Sequence, residues 1–231
     1  MRFLERAHSM KRNKIIICFL LSIILFISGF AEDIPGNSIC FNWAFVYKNL
    51  EDEIQSLDFS KQVNYFESGT RLKIYLEPIQ QAYIYLLLYD TNKDLFLLFP
   101  ERENGLFSEY TQGASFYIPA RTKWFYLKNT GGLEIFYLIV SATRCHKLEQ
   151  VIEEYLLLKE KKSVSLSLLN NAKQVILDEI HAVKKENSIF KGLIEKPVII
   201  AGDYRGENNI LEHVYRIQAE NFYAKTIRVA Y

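Results

Sequence analysis

The chain has 231 residues, 49% of them apolar, and a net charge of +1. A chain of this length and hydrophobicity can bury a core, which excludes whole-chain disorder. Its near-zero charge excludes a protein that binds nucleic acid mainly by bulk electrostatics. Ten glycines and five prolines exclude collagen-like and linker-type chains, and three cysteines are too few for a disulfide-framework scaffold.

The N-terminal segment has the three parts of a secretory signal peptide. Basic residues precede an uncharged, almost wholly apolar run at residues 15–30. Small residues then occupy the two positions that a signal peptidase reads, immediately before Glu32. We therefore expect residues 1–31 to be a signal peptide that is cleaved between Ala31 and Glu32.

A retained membrane anchor is the alternative interpretation of residues 15–30. A spanning helix needs about 20 apolar residues, and this run has only 16. The pattern thus favours an exported protein of the periplasm or outer cell envelope, without a stable membrane span. Anchoring in the inner membrane through residues 15–30 is the alternative location. Either Met1 or Met10 can serve as the start, since the leader (residues 1–31) has the pattern of a signal peptide from either residue.

Removal of the leader changes the charge and the cysteine count. The leader carries five basic residues and one acidic residue, so the mature chain has a net charge of −3. It retains Cys40 and Cys145, and an even pair in an oxidising compartment makes them a candidate disulfide. Such a bridge would stabilise the fold by roughly 4 kcal/mol in the chain-entropy model. Two separate buried thiols are the alternative.

The first part of the mature chain is a series of predicted strands. A first strand is expected at Asn42–Lys48, whereas residues 50–59 fit either a short helix or a hairpin return. Two runs, Tyr83–Tyr89 and Leu133–Ser141, are continuously apolar and indicate central strands covered on both faces. Further strands are expected at residues 72–77, 95–99, 114–118 and 123–127. This spacing predicts an antiparallel β-sandwich or barrel-like domain over residues 32–145.

The hydrophobic pattern changes to helical periodicity after residue 145. Helices are expected at residues 147–159 and 168–185, short strands at 198–201 and 223–229, and a loop at 202–207. In that loop, Asp203 and Glu207 flank Arg205 and could bind an ion, but a solvated turn is the simpler interpretation. The predicted fold class is therefore mainly β with an α extension. Residues 146–231 would form a helical extension with one or two short strands, packed on the β domain.

Candidate catalytic residues are few. The mature chain has three histidines, His146, His181 and His213, and no spacing typical of a zinc site. Cys145 and His146 are adjacent, so in an extended chain their side chains would point to opposite faces. We therefore expect no catalytic residue, metal or cofactor. The alternative is a small envelope enzyme that uses an activated Cys145 with a distant histidine such as His213.

Most aromatic residues lie in predicted strands, where core packing is the default. Phe107 and Tyr110 are exceptions because they fall in a loop. Phe116 and Tyr117 are neighbours in one short predicted strand, so one of the two must face away from the core.

Several segments together resemble a known bacterial family. These are Ser68-Gly69 before RLKIYLEP, the strand AYIYLLLYD, the return LFLLFPE, the stretch from Gly113 to Pro119, and GGLEIFYLIVSATR. Over about residues 40–155 the chain resembles the family called domain of unknown function 4384. The resemblance implies a β-rich module of secreted or envelope proteins without established catalytic residues. Four residues match its pattern as positions that form turns or end strands, namely Gly69, Pro100, Gly113 and Pro119.

These observations predict a secreted or periplasmic envelope protein that acts as a non-catalytic binding or interaction module. Its expected partner is another envelope protein or a surface polymer, and not a nucleic acid.

Overall fold

The computed structural model of this chain describes residues 38–57, 61–100, 113–120, 122–127, 131–161, 163–187, 192–204 and 207–231. At residues 200–204 and 207–213 only the backbone is described. The predicted cleavage site at Ala31 and Glu32 lies outside the described residues, as do Phe107 and Tyr110. Among the helices of the described part, none is long and apolar enough to cross a membrane.

The described elements are twelve strands and two helices. The strands are β1 Ser38–Lys48, β2 Ile54–Ser56, β3 Asn64–Tyr65, β4 Arg71–Pro78, β5 Tyr83–Tyr89, β6 Leu95–Phe99, β7 Phe116–Ile118, β8 Phe125–Tyr126, β9 Leu133–Ser141, β10 Ile194–Tyr204, β11 Glu207–Glu220 and β12 Phe222–Ala230. The helices are α1 His146–Glu160 and α2 Leu166–Glu186. The ambiguous segment at residues 50–59 contains β2, which returns antiparallel along β1, so the hairpin interpretation is confirmed.

The strands form two sheets. The first sheet has the order β10-β11-β1-β4-β7, with β2 pairing to β1 and β8 pairing to β4. The second sheet has the order β3-β12-β9-β5-β6. All pairs are antiparallel except the short parallel pair between β12 and β3. The predicted fold class, a mainly β sandwich accompanied by two helices, is confirmed.

The main core lies between the two sheets. In β1, Phe41, Trp43 and Phe45 alternate with Asn42, Ala44 and Val46, which face the other side of the sheet, and the three aromatic side chains are fully buried. Phe45 packs edge-on against Phe136 of the second sheet, with ring centroids 4.9 Å apart. Each large side chain buried in this way contributes about 1.5–3 kcal/mol.

A second core lies between the second sheet and the helices. Tyr85 and Leu87 of β5 face this layer, and their neighbours Ile84 and Leu86 face the core between the sheets. The predicted burial of Tyr83–Tyr89 on both faces is therefore confirmed. The helices cover it with one apolar stripe each, formed by Leu148, Ile152, Tyr155, Ile176, Ile180 and Val183.

The expected domain boundary after residue 145 does not separate two bodies. Gly36–Tyr231 forms one compact unit, because the C-terminal strands complete both sheets. Strand β11 pairs with β1 in the first sheet, and β12 pairs with β9 along its whole length in the second. Residues 202–204 and 207 belong to the hairpin strands β10 and β11. The helices are thus an insertion between β9 and the last three strands.

Candidate functional site

The candidate disulfide between Cys40 and Cys145 is absent, and both residues are free thiols. Cys40 pairs across to Gln218 on the outer face of the first sheet. Cys145 packs in the layer between the second sheet and the helices. Packed sheets lie about 10 Å apart, and a disulfide needs Cα atoms within about 7 Å. The bridge was therefore a wrong prediction.

Cys145 has a structural position at the start of α1. It is the N-cap residue, and its backbone N–H donates to the Tyr85 hydroxyl over 3.2 Å. Burial raises the pKa of the Cys145 thiol to about 11, so almost none of it is thiolate at neutral pH. The neighbouring His146 side chain is 77% exposed and lies 3.8 Å from a Glu149 oxygen. The side chain of His213 lies outside the described residues.

Glu149 links α1 to the second sheet. The Tyr85 hydroxyl donates to Glu149 Oε1 over 2.6 Å. Arg144 donates to Glu149 Oε2 from Nε over 3.0 Å and from Nη2 over 2.5 Å. Because Glu149 is buried, these bonds replace the water that its carboxylate loses on folding. The segment that suggested a cysteine–histidine pair is therefore a helix anchor.

We expect two free thiols per mature chain when the protein is titrated with a thiol reagent in denaturant without reductant. In the native protein, Cys145 should alkylate at least about tenfold more slowly than a free cysteine at pH 8, because its raised pKa leaves little thiolate. Zero free thiols in denaturant would show that the cysteines are bridged, contrary to this structure.

The four positions that match the family pattern lie at turns. Gly69 and Gly113 have φ angles of +92° and +81°, which glycine adopts at little cost. Pro100 directly follows β6 and Pro119 directly follows β7. Their described environment thus agrees with a role in ending strands and shaping turns.

A row of four polar side chains crosses the outer face of the first sheet. Lys196 of β10 pairs with Arg216 of β11, Arg216 with Asn42 of β1, and Asn42 with Glu77 of β4. Directly paired residues point to the same face. This polar row, Lys196, Arg216, Asn42 and Glu77, therefore lies on the side of the sheet opposite the main core.

Hydrogen bonds join most of the polar row. Arg216 Nε donates to Asn42 Oδ1 over 3.0 Å, and Asn42 Nδ2 donates to Glu77 Oε2 over 2.6 Å. The Tyr75 hydroxyl also donates to Glu77 Oε2, over 2.9 Å. Burial, helped by the Glu77 carboxylate, raises the pKa of Tyr75, so this hydroxyl stays a proton donor. At this end of the row, Asn42 and Glu77 are therefore both hydrogen-bonded to neighbouring side chains.

The other end of the polar row is open. Lys196 and Arg216 are exposed, Glu77 is half-buried and Asn42 is buried. Within the described part of the chain, Arg216 donates only through Nε, which leaves both Nη groups available. A guanidinium held in this way presents paired donors that match a carboxylate, sulfate or phosphate.

Aromatic side chains lie beside the polar row on the same face. Tyr117 packs here against Tyr75, with ring centroids 5.3 Å apart, while Phe116 packs against the main core. The expectation that one of this pair faces away from the core is confirmed, and the residue is Tyr117. The fully buried Lys73 places its Nζ 4.8 Å from the ring centroid of Trp124, a cation–π contact.

The segment around Arg205, for which a solvated turn was the simpler interpretation and ion binding the alternative, is only partly described. Asp203 and Glu207 lie in β10 and β11 near the end of their hairpin. Their side chains and Arg205 lie outside the described residues. In the described ranges, no group of three or more histidine, cysteine, aspartate or glutamate residues could hold a metal ion.

No protein-family model, curated protein or solved structure matches this chain. The resemblance to the domain of unknown function 4384 family therefore stays a prediction.

Proposed function

We propose that this protein is an exported component of the cell envelope that acts as a non-catalytic binding module. Its binding surface is the outer face of the first sheet, and its ligand is acidic. The signal-peptide pattern of residues 1–31 supports export. The observation that carries the binding role is the polar row, in which two exposed cations stand at the open end of an ordered hydrogen-bonded chain.

The charge of the row favours an acidic ligand. The mature chain is net negative, yet Lys196 and Arg216 are adjacent and exposed on this face. The nearest carboxylate of the row, Glu77, is already engaged by Asn42 and Tyr75. A rim of exposed cations steers anionic partners and favours their encounter. The adjacent rings add the apolar contacts that binding sites combine with a few placed polar groups.

The enzymatic alternative lacks a favourable observation. It needs an activated Cys145 thiolate, but burial raises the pKa of this thiol to about 11. Its surroundings contain carboxylates, Glu149 and Glu179, whose charge raises the pKa further. A nucleophilic cysteine needs the opposite environment.

Sedimentation with envelope fragments tests the proposed function. The mature chain from Glu32 onward should co-sediment with fragments of cells that lack it, and less so as salt rises. Protease treatment of the fragments distinguishes the partners: retained binding indicates a surface polymer, and lost binding an envelope protein. N-terminal sequencing of the exported protein should begin at Glu32, whereas retention of residues 15–30 would favour the anchored alternative. Absence of co-sedimentation at low salt would contradict a binding role.

Charge reversal should locate the binding surface. We expect Arg216→Glu to weaken co-sedimentation by at least about tenfold, because it removes the paired donors and adds repulsion. Lys196→Glu should have a smaller effect in the same direction. Lys161→Glu is the matched control, since Lys161 is exposed after α1, on the helical side of the molecule. Equal losses in all three variants would show a bulk charge effect instead of a defined surface.

A further inference from the structure

A cleft opens where the chain crosses from the first sheet to the second. Strand β11 ends at Glu220 and β12 begins at Phe222, and the single linking residue Asn221 has a φ angle of +58°. The C-terminal end of α2 borders this corner. The cleft has a volume of about 250 Å³ and is lined by Lys184, Asn187, Leu193, Ala219, Glu220, Phe222, Tyr223 and Ala224.

Lys184 is the cation of this cleft. Its side chain is half-buried, and its Nζ donates to Thr226 Oγ1 over 2.8 Å. No carboxylate among the described residues forms an ion pair with it. Burial, and then the nearby Arg228, lower the pKa of Lys184. A cation withdrawn from water beside a second cation is electrostatically unfavourable unless an anion joins it.

The rest of the lining is mostly apolar. Leu193 is more than half exposed at the cleft, and Phe222 and Tyr223 are largely buried behind it. The Tyr223 hydroxyl donates a hydrogen bond to Glu195 Oε1 over 3.3 Å. Its ring, and not its hydroxyl, is therefore the part that can contact a ligand. Glu220 is exposed at the rim and would repel a second negative charge.

We propose that this cleft binds a small amphiphilic monocarboxylate, with the carboxylate on Lys184 and the apolar part against Leu193 and Phe222. One lysine supplies a single positive charge, which matches the single negative charge of a monocarboxylate. The volume lies below the 300–1,000 Å³ usual for drug-sized ligands, so the ligand is smaller than these. This site is separate from the polar row and does not depend on the proposed function.

Titration with three small probes tests the proposal on the mature chain. Phenylacetate carries both features, phenylacetamide lacks the charge, and acetate lacks the apolar part. We expect phenylacetate to bind with a Kd below about 1 mM and the other two at least about tenfold more weakly. Calorimetry gives the affinities, and amide chemical shifts of residues 219–224 report the location. Binding should also take up protons above neutral pH, because the carboxylate restores the lowered pKa of Lys184.

A matched pair of variants separates this site from general charge. Lys184→Met keeps the length of the side chain without its charge, and should weaken phenylacetate binding by at least about tenfold. Lys185→Met, on the adjacent exposed position of α2, should bind as the unmodified chain does. Urea denaturation of both variants confirms that they are folded. Equal binding of phenylacetate and phenylacetamide, unchanged binding by Lys184→Met, or no binding at 1 mM would each overturn the proposal.

Discussion

A chain that ends at Glu186 is expected not to fold, although it retains the whole predicted β domain and both helices. The truncation removes β10, β11 and β12. Without them, β1 loses its β11 partner and β9 loses its β12 partner along a continuous edge. At each exposed edge, backbone N–H and C=O groups that are paired in the native fold lose their hydrogen-bond partners.

The apolar burial that the truncation removes is large enough to prevent folding. The removed strands contribute five buried side chains to the main core, namely Ile217, Ala219, Tyr223, Ile227 and Val229. At about 1.5–3 kcal/mol for each large apolar side chain, their loss is on the order of 10 kcal/mol. This is comparable to the whole stability of a typical domain, about 5–15 kcal/mol.

Urea denaturation followed by circular dichroism measures this effect. The mature chain should show one cooperative transition, and the truncated chain none. Adding a synthetic peptide of residues 192–231, which contains all three removed strands, should restore part of the transition if the strands act by completing the sheets. A cooperative transition of near-normal midpoint in the truncated chain would support a separable C-terminal extension and contradict this fold.

Replacement of Glu149 by alanine is expected to cost about 2–3 kcal/mol of the free energy of unfolding. Breaking a buried ion pair commonly costs about 3–5 kcal/mol. The effect should be smaller here because Arg144 is 43% exposed and can be rehydrated. The remaining loss comes from the buried Tyr85 hydroxyl, which can no longer donate a hydrogen bond to the Glu149 carboxylate.

Glu153 provides the matched control for this substitution. It lies one turn further along α1 and is exposed, so Glu153→Ala should change stability by no more than about 0.5 kcal/mol. Glu149→Gln, which keeps an acceptor for Tyr85, should lie between the two. The free energies are obtained from urea denaturation. Equal effects of Glu149→Ala and Glu153→Ala would show that the anchor at the start of α1 is not stabilising.

Much of the fold could be predicted because some segments have only one stable environment. The apolar runs Tyr83–Tyr89 and Leu133–Ser141 have the predicted bounds, since a strand that is apolar on both faces needs a layer on each side. The helical stripes after residue 145 were equally clear. Strand β11 was not predicted, although Tyr215, Ile217 and Ala219 alternate with Arg216 and Gln218 as expected for a strand with one buried face.

The candidate sites could be predicted much less well. Arg216 and Asn42 are 174 residues apart in sequence yet share a hydrogen bond, and nothing local in either segment indicates this contact. The alternation argument did identify that one of Phe116 and Tyr117 faces outward, because it depends only on strand geometry. The disulfide prediction was wrong because an even number of cysteines does not indicate in which layer of the fold each thiol lies.

The most direct measurement of the proposed binding role compares two proteins on the same envelope fragments at low salt. The mature chain should co-sediment in proportion to the fragments added. Its Arg216→Glu variant, shown by a cooperative urea transition to be folded, should bind the fragments at least about tenfold more weakly. Equal co-sedimentation of the two folded proteins would contradict the assignment of the outer face of the first sheet as the binding surface.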